Sequence, residues 1–323
     1  MADGSPVRWR VAVRRAWHGF MRHRGIDAAA ALTFFTLLVT LPAALAVVSV
    51  FAIFDDRERA VSDLVAVVDL VLPNRAAADL EGALRELLSL GNPSLALTIA
   101  IALLLWTVSG YATAFGRATN AVYEVEEGRP FWAFRARMLL FAVVLTALGA
   151  VAVTVLLGPT DILAWSILRW PVLLALAVLV VALLYAVTPN IRRTRRRWVT
   201  VGSSVAIVIW IVATAGFAIY VVLVDHGAIY GSLGGVVITL LWLYLTNAAL
   251  IAGVELDAEF TRLKLLAQGE DAAARVQLPV RDTRRIRMLR RQRTADIAVA
   301  RELQQSAEAG AAERPTPRQR APE

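Results

Sequence analysis

From Ala28 to Phe54 the chain runs 27 residues without one ionisable side chain. As a helix rising ~1.5 Å per residue, such a run reaches ~40 Å, more than the ~30 Å hydrocarbon core of a bilayer. Five further uncharged runs follow: Leu87–Gly116, Met138–Thr160, Trp170–Ile191, Trp198–Val224 and Gly227–Val254. The composition agrees with them. Hydrophobic residues make up 58% and charged residues 19%, with a mean hydropathy of +0.60, whereas soluble domains carry about 25% charge. A soluble Rossmann, TIM-barrel or sandwich enzyme is excluded. The first run is also too long for the h-region of a signal peptide, about 7–15 residues, so it is expected to remain as a span.

The expected fold is an all-α polytopic membrane protein of six transmembrane helices, near 28–54, 94–116, 138–160, 170–191, 198–224 and 232–254. Gly91-Asn92-Pro93 marks the entry to the second, because Pro suits the first helical turn. Arginine placement predicts the direction of threading, since basic residues collect in cytoplasmic segments. Six precede the first span, four lie in 117–137, five in 192–197, and fourteen basic residues follow the last span, Lys264 among them. Only Arg57, Arg59, Arg75, Arg85 and Arg169 fall in the alternate segments. Both termini are therefore expected in the cytoplasm, with 1–27 a basic N-terminal segment and 28–262 the membrane domain. Trp132, Trp165, Trp170 and Trp198 fall at span edges, where an indole keeps its ring in the headgroups and its N–H wet.

Residues 55–92 form the one sizeable segment expected outside the membrane, with eight acids against four arginines. Leu and Val repeat there at helical spacing on either side of Pro73-Asn74, which predicts a short extracytoplasmic helical cap. A packing role is expected of it, ahead of a ligand-gating lid. Residues 263–323 read as an Arg-rich cytoplasmic tail, disordered or lying on the anionic leaflet. Its arginines lack the interleaved aromatics that stack nucleic-acid bases, so no nucleic-acid partner is expected.

Chemistry is thinly represented. The chain has no cysteine and three histidines, His18, His23 and His226, none at metal-binding spacing, so no metal, cofactor or catalytic set is assigned. Glu124, Glu126 and Glu127 form one acidic cluster and Glu255, Asp257 and Glu259 another. Helical spacing puts Glu255 and Glu259 on one face with Asp257 turned away, and a solvated helix end explains them better than a two-metal site. The span centres hold small neutral polar groups and no charge. Thr33, Thr36, Thr40, Ser109 and Asn247 are candidates to line a path, although Thr and Ser in such helices mostly bond their own preceding turn. Asn120, Asn190, Tyr230 and Glu255 sit at span ends, where a substrate enters or leaves. Arg192, Arg193, Arg195, Arg196 and Arg197 are expected to meet anionic headgroups.

Three stretches resemble a known family. Ala28 through Leu38, followed by Leu41-Pro42, is similar to the first-span signature of the YihY/BrkB family, once labelled ribonuclease BN. Trp106 through Gly110, continuing to Ala118-Thr119-Asn120-Ala121-Val122-Tyr123, resembles its second. Tyr185 with Pro189 to Arg192, Ile229 to Gly234 and Gly253 to Ala258 resemble its C-terminal signature. The likeness spans roughly residues 14–262. Phe34-Phe35 stands where tyrosines are common, and Val254 where alanine is usual. The resemblance implies a six-span bacterial inner-membrane protein with cytoplasmic ends, tied by name to virulence, some of whose relatives are proposed to move lipids or solutes. It also implies that the ribonuclease label is a misassignment.

The function expected is transport or flipping of an amphipathic substrate, a lipid or envelope precursor. A non-transporting membrane scaffold is the alternative, and a ribonuclease is placed last. An internal cavity lined by the Thr and Asn residues of the spans favours transport, whereas a tightly filled bundle favours a scaffold.

Overall fold

The computed structural model describes residues 6–53, 92–158, 163–192, 200–223, 234–273 and 278–312. Within them the chain forms eight helices: α1 Pro6–Arg22, α2 Gly25–Ile53, α3 Pro93–Val122, α4 Phe131–Leu157, α5 Leu163–Val187, α6 Val201–Leu223, α7 Gly234–Ala267 and α8 Arg284–Ala312. Six of these, α2 to α7, are long and apolar enough to cross a membrane. The six expected spans are thus present as helices. Most of segment 55–92, Tyr230, Arg193 and Arg195–Arg197 lie outside the described residues.

Several helices outrun the uncharged runs that announced them. α3 reaches Val122, six residues beyond Gly116, and α7 reaches Ala267, thirteen beyond Val254. At 34 residues α7 is ~51 Å long, so its last turns project past the hydrocarbon. Asn92 caps α3, its side chain accepting the Leu95 N–H at 3.2 Å, with Pro93 in the first turn as that position favours.

α3 packs along α2 and α4, and α7 along α6, α2 and α1. The α6–α7 crossing is close because both helices present glycine. A Cβ on Gly202 would overlap Asp257 and the Gly253 carbonyl, and one on Gly253 would overlap Ala206. Small residues allow such backbone approach in membranes. α5 is the most lightly attached of the spans, touching chiefly α4 and α6. α1 lies against the end of α7, burying Ala12, Ala16 and Phe20 at a four-residue repeat and setting Trp9 edge-on to Phe260. Arg24, at φ 57°, makes the break between α1 and α2.

The largest core cluster gathers Leu32, Phe115, Tyr123, Phe134, Met138, Tyr185, Ile251 and Val254 at the end of the bundle shared by α1 and the start of α8. The candidate site is built around and above it.

Candidate functional site

Halfway along the bundle, Asn247 of α7 is buried among hydroxyls. Its Nδ2 donates to the Leu243 carbonyl at 2.9 Å and lies 3.3 Å from Thr36 Oγ1 and 3.4 Å from Thr33 Oγ1. The Tyr111 hydroxyl donates to Asn247 Oδ1 at 3.0 Å. Three helices are stitched here, as hydrocarbon surroundings require of polar groups, at about 0.6 kcal/mol per bond. Thr33, Thr36, Thr40 and Ser109 donate to carbonyls three or four residues back. Of the five residues expected to line a path, Thr33, Thr36 and Asn247 close on one another, Ser109 is buried against its own turn, and Thr40 is exposed.

At the end of the bundle shared by α1 and the start of α8, the last turns of α7 carry a buried charge network. Glu255, Asp257 and Glu259 are 2%, 6% and 5% exposed, so the solvated helix end read from the sequence is corrected. The reason is α1, which folds back over this face. Gly19 makes room for it, because a Cβ there would meet the Glu255 carboxylate. Glu255 Oε1 lies 2.9 Å from His23 Nδ1. Glu124, at φ 53° just past α3, pairs with Arg22 at 3.2 Å and sits 3.8 Å from both His23 and Arg262. Glu259 pairs with Arg15 at 3.0 Å and Arg262 at 3.3 Å. Asp257 turns to the opposite face, where the Tyr123 hydroxyl donates to it at 2.7 Å. Buried ions persist only when paired in this way. These carboxylates are already taken up by guanidinium, imidazole and phenol groups.

Beside the network sits a clamp on the C-terminal segment. The Asn190 backbone N–H donates to Asn120 Oδ1 at 2.8 Å, and Asn120 Nδ2 donates to Glu127 at 2.9 Å. Glu127 also grips Arg129 with two 2.7 Å bonds, and Arg129 donates to the Thr188 carbonyl and stacks over Phe134. The Asn190 amide then mimics a strand. Its Nδ2 donates to the Asp282 carbonyl at 3.0 Å and its Oδ1 accepts the Asp282 N–H at 3.1 Å. An antiparallel bridge joins Ile191 to Val280, and the Arg192 N–H donates to Pro279 at 2.7 Å. Arg281 donates to the Ala186 and Val187 carbonyls, capping the end of α5 as cations do. Asn120 and Asn190, singled out as span-end polar groups, are brought into contact. Glu255 stands in the separate network.

Past the clamp the chain is helical over Arg284–Ala312, where the sequence led us to expect a tail disordered or lying on the anionic leaflet, and the helix goes against the disordered reading. Low apolar content misled that reading, because Arg, Ala, Glu and Gln are good helix formers even when exposed. Asp282 starts the helix by accepting the Arg284 N–H at 2.9 Å. Hydrogen bonds from Arg284 hold the Asp282 carboxyl well below the usual carboxylate range, at about 2.

The remaining feature is a cleft of about 420 Å³ between α3, α4, α5, α6 and α7. Tyr111, Gly149, Ala177, Val181, Ile207 and Trp210 are among its walls. The sequence held its signals, Gly149 and Ala177, but isolated small residues in a span usually pack against neighbours.

Six apolar spans, inward-turned polar groups and a network of buried charges define a polytopic membrane protein. Residues 16–277 match the family described as virulence factor BrkB, and the chain belongs to this YihY/BrkB family. It is 28% identical over 260 residues to YfkH of Bacillus subtilis (strain 168), described as ribonuclease-like, covering 76% of this chain and 93% of that protein. It is also 28% identical to a UPF0761 membrane protein of Laribacter hongkongensis (strain HLHK9), covering 77% of this chain and 60% of that protein. To the UPF0761 membrane protein Smlt0865 of Stenotrophomonas maltophilia (strain K279a) it is 29% identical, covering 78% and 61%. The chain thus spans about three fifths of the length of those UPF0761 relatives. No solved structure matches.

Proposed function

We propose that this chain moves an amphipathic molecule, a lipid or envelope precursor, through the bacterial cytoplasmic membrane, with both termini in the cytoplasm. The carrying observation is the open cleft among the spanning helices. A scaffold is served by a bundle filled to interior density, whereas a transporter needs a place for cargo. The lightly attached α5 forms one wall of that place. The reading is not enzymatic, since the carboxylates a hydrolase would use are engaged in ion pairs or hydrogen bonds. Arg192, Arg193 and Arg195 to Arg197 then meet anionic headgroups, at about 1 kcal/mol each.

The test is reconstitution into liposomes with fluorescent lipids and candidate solutes. Wild type is expected to move at least one lipid class several-fold faster than empty vesicles do. If no class moves faster, the transport reading falls and the scaffold replaces it. Orientation has its own test. Reporter fusions after Arg75 and Arg195 are expected on opposite sides of the membrane, the second cytoplasmic, and finding both on one side refutes the threading.

A further inference from the structure

We infer that the cleft seats one hydrocarbon chain of a membrane lipid, and that it selects for the chain while ignoring the headgroup. This rests on the transport reading above and names the substrate class of the same site.

The walls decide the chemistry. Of the residues lining the cleft, only Tyr111, Trp210 and Thr246 carry polar side-chain atoms, and these have partners in the protein. The Tyr111 hydroxyl donates to Asn247, and Trp210 Nε1 donates to Thr246 Oγ1 at 3.2 Å. A resident water needs two to four polar partners, and a phosphate or amine headgroup needs charges. The walls supply neither and leave hydrocarbon as the occupant.

Position supplies it. The cleft lies along the middle stretches of α4 and α5, at a depth where the surrounding solvent is acyl chain. Room is provided on purpose-sized residues. A Cβ built on Gly149 meets nothing within 4 Å, and Ala152 and Ala177 continue the cleared wall. About 420 Å³ lies toward the small end of ligand sites, which suits one chain and leaves its headgroup outside the bundle.

The experiment uses the full chain in vesicles doped with a phospholipid bearing a diazirine on one acyl chain. Phosphatidylcholine and phosphatidylglycerol versions are compared, with labelled peptides mapped after illumination. Labelling is expected on α4 and α5 around Gly149 and Ala177, equal within twofold for the two headgroups. Gly149→Trp is expected to cut it at least fivefold, and Ala152→Leu by an intermediate factor, with the thermal transition unchanged. Labelling confined to outward residues such as Leu140 and Val144, or unaltered by both substitutions, overturns the chain site. A preference for one headgroup beyond tenfold overturns the headgroup indifference. The two readings fail separately. Cleft labelling without lipid movement retains the chain site and removes transport, while movement without cleft labelling does the reverse.

Discussion

Replacing Arg262 with methionine is expected to cost about 3 kcal/mol of stability, within the range for breaking a buried ion pair. The guanidinium lies between two carboxylates, 3.3 Å from Glu259 and 3.8 Å from Glu124, with its side chain only 3% exposed. It also donates to the Ala272 and Ala273 carbonyls at 3.4 Å, tying the chain beyond α7 to its own last turns. Methionine preserves much of the stem and removes the charge, so two acids are left sharing the remaining cations. Arg15 and Arg22 still hold one each, but they are far more exposed than Arg262 and are screened accordingly. Because each acid still keeps one cation, the expected loss stays at the lower end of the range, and because those cations are screened it does not vanish. Thermal or denaturant unfolding of the solubilised protein reads it directly. Arg262→Lys is expected to fall between, since an ammonium keeps the charge and loses the planar fork. Adding Glu259→Gln to Arg262→Met is expected to recover at least about 1 kcal/mol if uncompensated charge is the cause. A loss below about 1 kcal/mol for Arg262→Met shows that the network is decoration on the bundle end.

The spans were legible because hydrocarbon imposes a simple rule, that long uncharged runs become helices. The same rule hid the site. It ends a span at its first charge, so α7 seemed to stop at Val254 while its helix continues through Glu255, Asp257, Glu259 and Arg262 to Ala267. Whether those acids face water depends on what covers them. The cover is α1, whose buried Ala12, Ala16 and Phe20 are spread among six arginines of the N-terminal segment. Asn120 and Asn190 were legible as polar groups at span ends. Their contact was not, because it joins residues 70 apart through a backbone N–H that any residue type supplies. Thr33 and Thr36 gave the opposite error of emphasis. Polar atoms in a span invite a pathway reading, yet Asn247 and the preceding turn of α2 satisfy them. The cleft escaped the sequence because it is made of missing atoms, and the absence at Gly149 acquires meaning only when the facing helix is placed.

Gly128→Val is expected to release the C-terminal segment from the bundle, the second large effect. A Cβ at this position would run into the Asp282 carbonyl oxygen and carbon, which are backbone atoms with no rotamer to change. The Gly128 carbonyl also accepts the Arg285 N–H at 2.8 Å, so the segment cannot step back without losing that bond. Release strips Asn190 of its two bonds to the Asp282 backbone and uncaps the last carbonyls of α5. Limited proteolysis reads it. Wild type is expected to resist cleavage around 278–285, and Gly128→Val to be cut there at least tenfold faster. Asn190→Ala, which loses the side-chain bonds without a collision, is expected to fall between. Acid is not expected to mimic it in the neutral range. The folded pKa of Asp282 is depressed to about 2, so its contribution is complete above the ordinary carboxylate pKa and fades only as pH falls from about 4 toward 2. Protection of 278–285 should therefore be constant from pH 8 to about 5. Equal cleavage of wild type and Gly128→Val refutes the clamp. If the clamp holds α5 in place, lipid labelling at Ala177 should change in Gly128→Val, since Arg281 caps the helix that carries this wall of the cleft.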